Sequence, residues 1–355
     1  MYAVVLLGMF LISLPIYVFA RIFPSFADFM NGTLCHAMRR ALAFITDIFS
    51  FSLAEMIIIA SPILVFFIIF RALRVKDGEG RIRFVSGLVS IALVFLSSYW
   101  FMLGIGYHTT SLSERAKMEE ASVDAESLAH TLSVLTEECN KLAEELSLDE
   151  NGASVMPITF DEACSYITEA YARLSESMPE LDIPVFDSRA KQVLLSKPMS
   201  ALEITGVYTF FTGEANVNVY YPDYNLPFTI AHELAHQRGV ARENEANFVA
   251  FLVCKEAEHP YVRYSGYMNM LEYVASALRK TDLEVYRSVF DTFHPSLVSE
   301  LRAYSEFYKN NKKQFWSKVS DTVNDTYLKV QGTEGIVSYG LVVRLCVAYY
   351  SKSAE

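Results

Sequence analysis

The chain has few cysteines, no surplus of positive charge and no repetitive sequence. Its 355 residues include five cysteines, Cys35, Cys139, Cys164, Cys254 and Cys346, with no C-x-x-C spacing, so they form no metal-binding pattern. There is no internal repeat and no low-complexity linker. Basic residues number 30 against 41 acidic, a net charge of −11. From Tyr107 onward the balance is 22 basic to 36 acidic, a net −14. That excludes the basic footprint of a nucleic-acid binder and of a polybasic lipid-binding surface. The N-terminus has neither a basic n-region nor a clear small-x-small cleavage site, so its apolar run reads as a retained helix, not a cleaved signal peptide.

What the chain does have is hydrophobicity: 52% apolar residues and a mean hydropathy of +0.23, concentrated at the N-terminus. Three segments, Tyr2 to Ala20, Phe51 to Phe70 and Phe84 to Tyr107, are long enough to cross a ~30 Å hydrocarbon core. The third ends in Tyr99, Trp100, Phe101 and Tyr107, an aromatic cluster of the kind that marks membrane boundaries. Glu55, near one end of the second, is either an intramembrane acid or an interfacial one. Between the second and third spans lie Arg71, Arg74, Lys76, Arg81 and Arg83, and the positive-inside tendency makes that loop cytoplasmic. Everything after His108 then lies outside, although Arg21, Arg39 and Arg40 in the first loop pull the other way. The expected plan is a membrane region over residues 1–106 with three transmembrane helices and an extracytoplasmic domain over 107–355. In that topology the cysteines are free to form disulfides; Cys254 reads as a buried thiol.

The outer part reads as mainly α, an α+β arrangement with a small β-sheet. Glu114 to Leu148 predicts one long amphipathic helix with Leu128, Leu132, Leu135 and Leu142 on its apolar positions. Thr159 to Glu162 and Thr281 to Glu284 have the form of capping boxes. Between Val185 and Asn225 the pattern turns β-like: Val193 to Leu195, Ile204 to Phe211 and Ala215 to Tyr221, broken by Pro198, Gly206 and Gly213. Asn216 to Val219 alternates polar and apolar, as a half-buried strand does. After Cys254 come helices over Tyr261 to Leu278, from His294-Pro295-Ser296, and over Gly335 to Tyr350, the last read as core. His36, His108, His130, His259 and His294 lack ligand spacing and read as structural.

The chemistry is concentrated in one stretch, Thr229-Ile230-Ala231-His232-Glu233-Leu234-Ala235-His236-Gln237-Arg238-Gly239, followed by Arg242-Glu243-Asn244-Glu245-Ala246-Asn247. On a helix His232 and His236 lie one above the other on one face. Two imidazoles so placed can share a zinc ion, and Glu233 beside them can take a proton from water activated there. Ile230 and Leu234 form a separate apolar pair for a core. Gly239 turns the chain out of the helix, and a second helix is expected from about Ala241 through Cys254. On it Glu243 is the candidate third ligand, on a face with Ala246, Asn247, Ala250 and Cys254. Glu245, roughly 200° round the helix, cannot face the metal together with Glu243 and is the alternative ligand, beside the bulkier Phe248, Val249 and Leu252. Asn247, one turn on, could accept a hydrogen bond from the outer N–H of a ligand histidine. Tyr264, Tyr267 and Tyr339 are candidate donors to a developing oxyanion.

The run FTGEANVNVYYPDYNLPFTIAHELAHQRGVARENEANFVAFLVC resembles the bacterial domain-of-unknown-function family 3810, a membrane-anchored group placed with the zincin metallopeptidases. More widely it is similar to gluzincins, whose third ligand is a Glu on a second helix with an acid or amide four residues later. The resemblance implies zinc (Zn2+) held by His232, His236 and Glu243, Glu233 as base and Asn247 behind the ligands. Many gluzincins carry Asp where this chain has Asn247, a neutral amide that raises ligand basicity less. In zincins a strand before the metal helix pairs with substrate, a role that Asn216 and Asn218 would take here; an ordinary edge strand fits the pattern as well.

The expectation is therefore a multi-pass cell-membrane zinc metallopeptidase whose partners are the lipid bilayer and a peptide or protein substrate, with no nucleic acid. Two alternatives stay open. One is a membrane sensor or receptor that uses a zincin domain for signalling, and the other is a non-catalytic binding module.

Overall fold

A computed structural model describes residues 2–118, 122–311 and 338–352. The chain packs as two units, Met1–Thr110 with Thr209–Glu214, and Ser111–Tyr208 with Ala215–Glu355.

The first unit contains α1 (Tyr2–Ile22), α2 (Pro24–Met30), α3 (His36–Thr46), α4 (Leu53–Arg74) and α5 (Gly78–Met102). Two of the expected spans, now α4 and α5, are long and apolar enough to cross a membrane, at 22 and 25 residues. At 1.5 Å per residue each exceeds about 30 Å. Most of their large apolar side chains are exposed, Ile63, Phe66, Leu73 and Ile91 among them. The described apolar stretch of α1, Leu6–Ile22, is shorter. Helix α5 starts earlier than hydropathy predicts, because Asp77 accepts the Gly80 N–H at 2.7 Å and caps it. At the start of α4 Ser52 accepts the Glu55 N–H at 3.0 Å, while Glu214 accepts those of Leu53 and Ala54 at 2.9 and 2.8 Å. Three otherwise orphaned amides are thus satisfied, two of them by a carboxylate at the positive end of the helix dipole. Beside Glu214 in sequence, Phe210 packs edge-on against Phe95 and Tyr99.

The second unit runs α6 (Leu112–Arg115), α7 (Ala125–Ala143), α8 (Phe160–Ser177), β1 (Lys191–Gln192), α9 (Ser196–Ala201), β2 (Gly206–Thr209), β3 (Glu214–Val217), α10 (Asn225–Gln237), α11 (Glu243–Lys255), α12 (Pro260–Thr281), α13 (Leu283–Phe290), α14 (Pro295–Asn311) and α15 (Ser338–Lys352), with the hairpin tip between β2 and β3 belonging to the first unit. The fold is mainly helical with a small mixed three-stranded sheet. Its core joins Leu128, Leu132 and Leu135 of α7, Ile167 of α8, Ile230 and Leu234 of α10, Phe248 and Phe251 of α11, and Leu271 and Val274 of α12. Val342, Cys346 and Val347 of α15 are buried in the same core, as its apolar sequence predicts. All five cysteines are buried and free.

Two expectations about elements are corrected. The long helix over Glu114 to Leu148 is not continuous: α6 ends after Arg115, Lys117 takes φ +49°, and α7 begins only after Asp124, which exchanges a reciprocal cap with Ser127. No capping box forms over Thr281 to Glu284: Thr281 ends α12, and Asp282 is the N-cap of α13, accepting the N–H groups of Glu284 and Val285 without a reciprocal bond. The Thr159–Glu162 box forms in both directions.

The sheet order is β1-β3-β2, with β1 parallel to β3, Lys191 opposite Asn216 and Gln192 opposite Val217. Of the stretch expected to be a half-buried strand open to substrate, Asn216 and Val217 lie in the central strand, whose four residues are all buried, and Asn218 and Val219 follow its end. Asn218 donates to Ser200 Oγ and to the Ile204 carbonyl, and Asn216 donates to the Val207 carbonyl. With a strand on each side, β3 has no free edge for a peptide; a free edge in this sheet belongs to β1 or β2.

Candidate metal centre

Helix α10 is fixed at both ends by its neighbours. Near its start, Ser265 of α12 donates to the Tyr224 carbonyl and accepts the Phe228 N–H at 3.0 Å. At mid-helix the Tyr171 hydroxyl donates to the Ala231 carbonyl at 2.6 Å. At its end the buried Arg238 guanidinium stacks on Tyr171 and donates to the carbonyls of Leu234 and Phe186. A cation placed on the last carbonyls suits the negative end of the dipole. Gly239 then takes φ +97°, a left-handed conformation that a side chain would strain.

That reversal returns the Val240 carbonyl to His236, whose Nδ1 lies 2.7 Å away. In the neutral ring Nδ1–H donates to Val240 and Nε2 keeps its lone pair for a ligand. The turn also delivers Glu243 as the first residue of α11. His232 Nε2 and His236 Nε2 are 3.1 Å apart, and the Glu243 carboxylate lies 3.3 Å from the first and 3.5 Å from the second. Three donors around a tetrahedral ion at 2.0–2.1 Å should be about 3.3 Å from one another. Among the described residues these three form a group that could hold a metal, with ligand atoms within 4.8 Å of one another.

Glu233 lies beside them and is only 3% exposed. Its carboxylate accepts the Tyr208 backbone N–H. Its Oε2 is buried without a hydrogen-bond partner, and so is His232 Nδ1. Gly206 of β2 comes so close that a Cβ there would sit 2.5 Å from Glu233 Oε1. Burial raises the Glu233 carboxyl above the usual range, partly offset by the two imidazoles. For His236, burial disfavours the imidazolium, but Glu243 outweighs it and pushes the pKa up to about 9. Glu243 is likewise opposed by burial, yet His236 and His232 hold it well below the carboxylate range. Glu243 and the two imidazoles thus favour one another's charged forms inside a buried cluster.

The structure brings together His232, Glu233, His236 and Glu243, and not the rest of the expected set. Asn247 is half-buried and makes no hydrogen bond to either histidine among the described residues. The outer nitrogen of His236 is already engaged by Val240. Tyr264 is fully buried and its hydroxyl is turned to Glu300 Oε2 at 3.3 Å, away from the cluster. Tyr267 is buried with its ring packed against Phe251. The side chain of Tyr339 lies outside the described residues. Asn216 donates to Val207 within the sheet, and Asn218, just past β3, donates to Ser200 and Ile204. What sequence reasoning missed is main chain: the Val240 carbonyl, the Tyr208 N–H and the bare backbone of Gly206. Only Gly239 and Gly206 signalled it.

The family model described as Protein of unknown function (DUF3810) matches residues 31–347, a span that includes α4, α5 and the His232–Glu243 cluster. The chain belongs to that family. No curated protein and no solved structure matches it.

Proposed function

We propose that this DUF3810 member is a membrane-anchored zinc metallopeptidase of the zincin type. The observation that carries the reading is the spacing of His232 Nε2, His236 Nε2 and the Glu243 carboxylate, with Glu233 alongside. Two imidazoles and one carboxylate leaving a fourth position open is a donor set of catalytic zinc. When bound there, zinc would supply a Lewis acid that brings the pKa of water to about 7. Glu233 then serves as general base toward water attacking a peptide carbonyl and returns the proton to the leaving amine. Burial, which raises its carboxyl, makes it a stronger proton acceptor than an ordinary carboxylate. Val240 keeps the His236 tautomer. The substrate-aligning role expected of β3 passes to β2, whose Gly206 to Tyr208 backbone lies against Glu233.

For topology, we take α4 and α5 as spans and add α1 as a third. The basic residues Arg71, Arg74, Lys76, Arg81 and Arg83 between α4 and α5 then face the cytoplasm. The zinc domain lies outside the cell membrane, with the bilayer and a peptide or protein as its partners. The opposite orientation would suit a receptor with a cytoplasmic zincin domain.

The test is a peptide-library digest by the full-length protein in detergent, with and without chelator, beside Glu233→Gln. Cleavage should require metal, and the variant should keep zinc while losing roughly 10²–10⁴-fold in turnover. A variant as active as the parent would refute the mechanism. Zinc uptake with no cleavage of any peptide would favour the receptor or a binding module.

A further inference from the structure

The first turn of α11 carries two carboxylates two residues apart, in different surroundings. Glu243 meets the histidines, and its side chain is 32% exposed. Glu245 is buried at 5% exposure. Its Oε1 accepts the Leu112 N–H at 3.0 Å and the Arg242 guanidinium at 2.9 Å. Leu112 opens α6, a segment anchored elsewhere by the Ser111–Glu114 capping box and by Arg115, which donates to the Leu181 carbonyl at 3.2 Å. Arg242 occupies the N-cap of α11 without capping it through its side chain.

We infer that Glu245 is a positioning residue for the metal site: it pins the start of α6 to the first turn of α11 and engages the Arg242 guanidinium, leaving Glu243 to the histidines. The inference rests on the zinc reading above. Glu243 is the first residue of its helix, so the conformation of that turn sets where its carboxylate stands. Arg242 is its neighbour in sequence. A guanidinium released from Glu245 would have Glu243 as a nearby carboxylate, and the planar fork binds carboxylates bidentately. It would then compete with a cation for the same oxygens. A partly buried guanidinium is costly to leave unpaired, which drives that exchange.

The test measures zinc affinity of the full-length protein in detergent by competition with a chromogenic chelator, with thermal midpoints alongside. Glu245→Ala should weaken zinc about 10–100-fold, the range for residues behind metal ligands. Adding Arg242→Ala to that variant should recover most of the loss, because the competing cation is gone. A purely structural role for Glu245 predicts no such recovery. Should Glu245→Ala fail to fold, Glu245→Gln keeps an acceptor for Leu112, gives up the charge that holds Arg242, and should show a smaller loss that Arg242→Ala again reverses. Unchanged affinity in the Glu245 variants, or a double variant no tighter than the single one, overturns the assignment. A wild-type chain that takes up no zinc overturns the metal-site reading and this assignment with it. Tight wild-type binding that Glu243→Ala abolishes keeps the first reading intact whatever Glu245 does.

Discussion

Gly206→Ala tests how closely the β2 backbone is fitted to the base. A Cβ at this position would stand 2.5 Å from Glu233 Oε1, 2.7 Å from Cγ and 2.9 Å from Cδ. Carbon contacts are favourable near 3.5–4.0 Å, so the carboxylate must shift by about 1 Å. Swinging the free end of an exposed glutamate would relieve this at little cost, but Glu233 is 3% exposed and held by the Tyr208 N–H. The strain should cost about 1–3 kcal/mol of stability, as overpacking does. A displacement near 1 Å at a reacting group can cost about 10²-fold in rate, or roughly 2.7 kcal/mol of barrier. The three atoms nearest the new methyl group all belong to Glu233, so zinc content should stay at the wild-type level. The assay is kcat/KM on a cleaved peptide, with metal analysis and a thermal midpoint on the same preparation. Unchanged kcat/KM would refute the close fit. Loss of zinc together with activity would show that the residue supports the whole site rather than the base.

Two further outcomes follow from other parts of the molecule. With the five native cysteines replaced, Ser133→Cys on the exposed face of α7 should react with an impermeant thiol reagent in intact cells and Lys76→Cys should not; the reverse labelling would place the zinc domain in the cytoplasm. Glu272 accepts a hydrogen bond from Tyr224 at the start of α10, and burial, reinforced by Glu300, pushes its carboxyl up to about 7 against that bond. The folded chain therefore keeps a proton that the unfolded chain releases near 4.5, and stability should fall as pH rises from about 4.5 to about 7. Glu272→Gln should remove that slope and gain up to on the order of 3 kcal/mol above pH 7, and a wild-type thermal midpoint no more pH-dependent than the variant's between pH 5 and 8 would refute it.

Elements announced by local chemistry were legible. The Thr159–Glu162 box, Pro295 and Gly239 each mark a boundary with groups only a few residues apart, and the structure uses them. The break between α6 and α7 was hidden because Lys117 takes a positive φ without glycine, and the amphipathic pattern runs across it. Pairing in the sheet was hidden for a different reason. Lys191 and Gln192 lie beside Asn216 and Val217 through contacts distant in sequence, so a central strand cannot be told from an edge. Asn216 and Asn218 suggested a solvent-facing side, yet their amide N–H groups donate inside the fold, to Val207, Ser200 and Ile204.

The site shows the same division at finer scale. His232 and His236 share one helix, and periodicity alone sets them on one face. Glu243 needs only a turn and the start of the next helix. Asn247 follows the same periodicity and still fails, because helical spacing fixes the direction in which a side chain leaves its axis, not how far it reaches toward another helix. The partner it was expected to supply to His236 comes instead from Val240, through a conformation of Gly239 that no side-chain pattern encodes. His232 is left as the imidazole whose Nδ1 is enclosed without an acceptor. The two imidazoles are therefore unequal: the Nδ1 of His236 is engaged by the backbone, whereas the Nδ1 of His232 is not. A metal that selects the Nε2 lone pair of His232 organises the half of the pair that the fold leaves open.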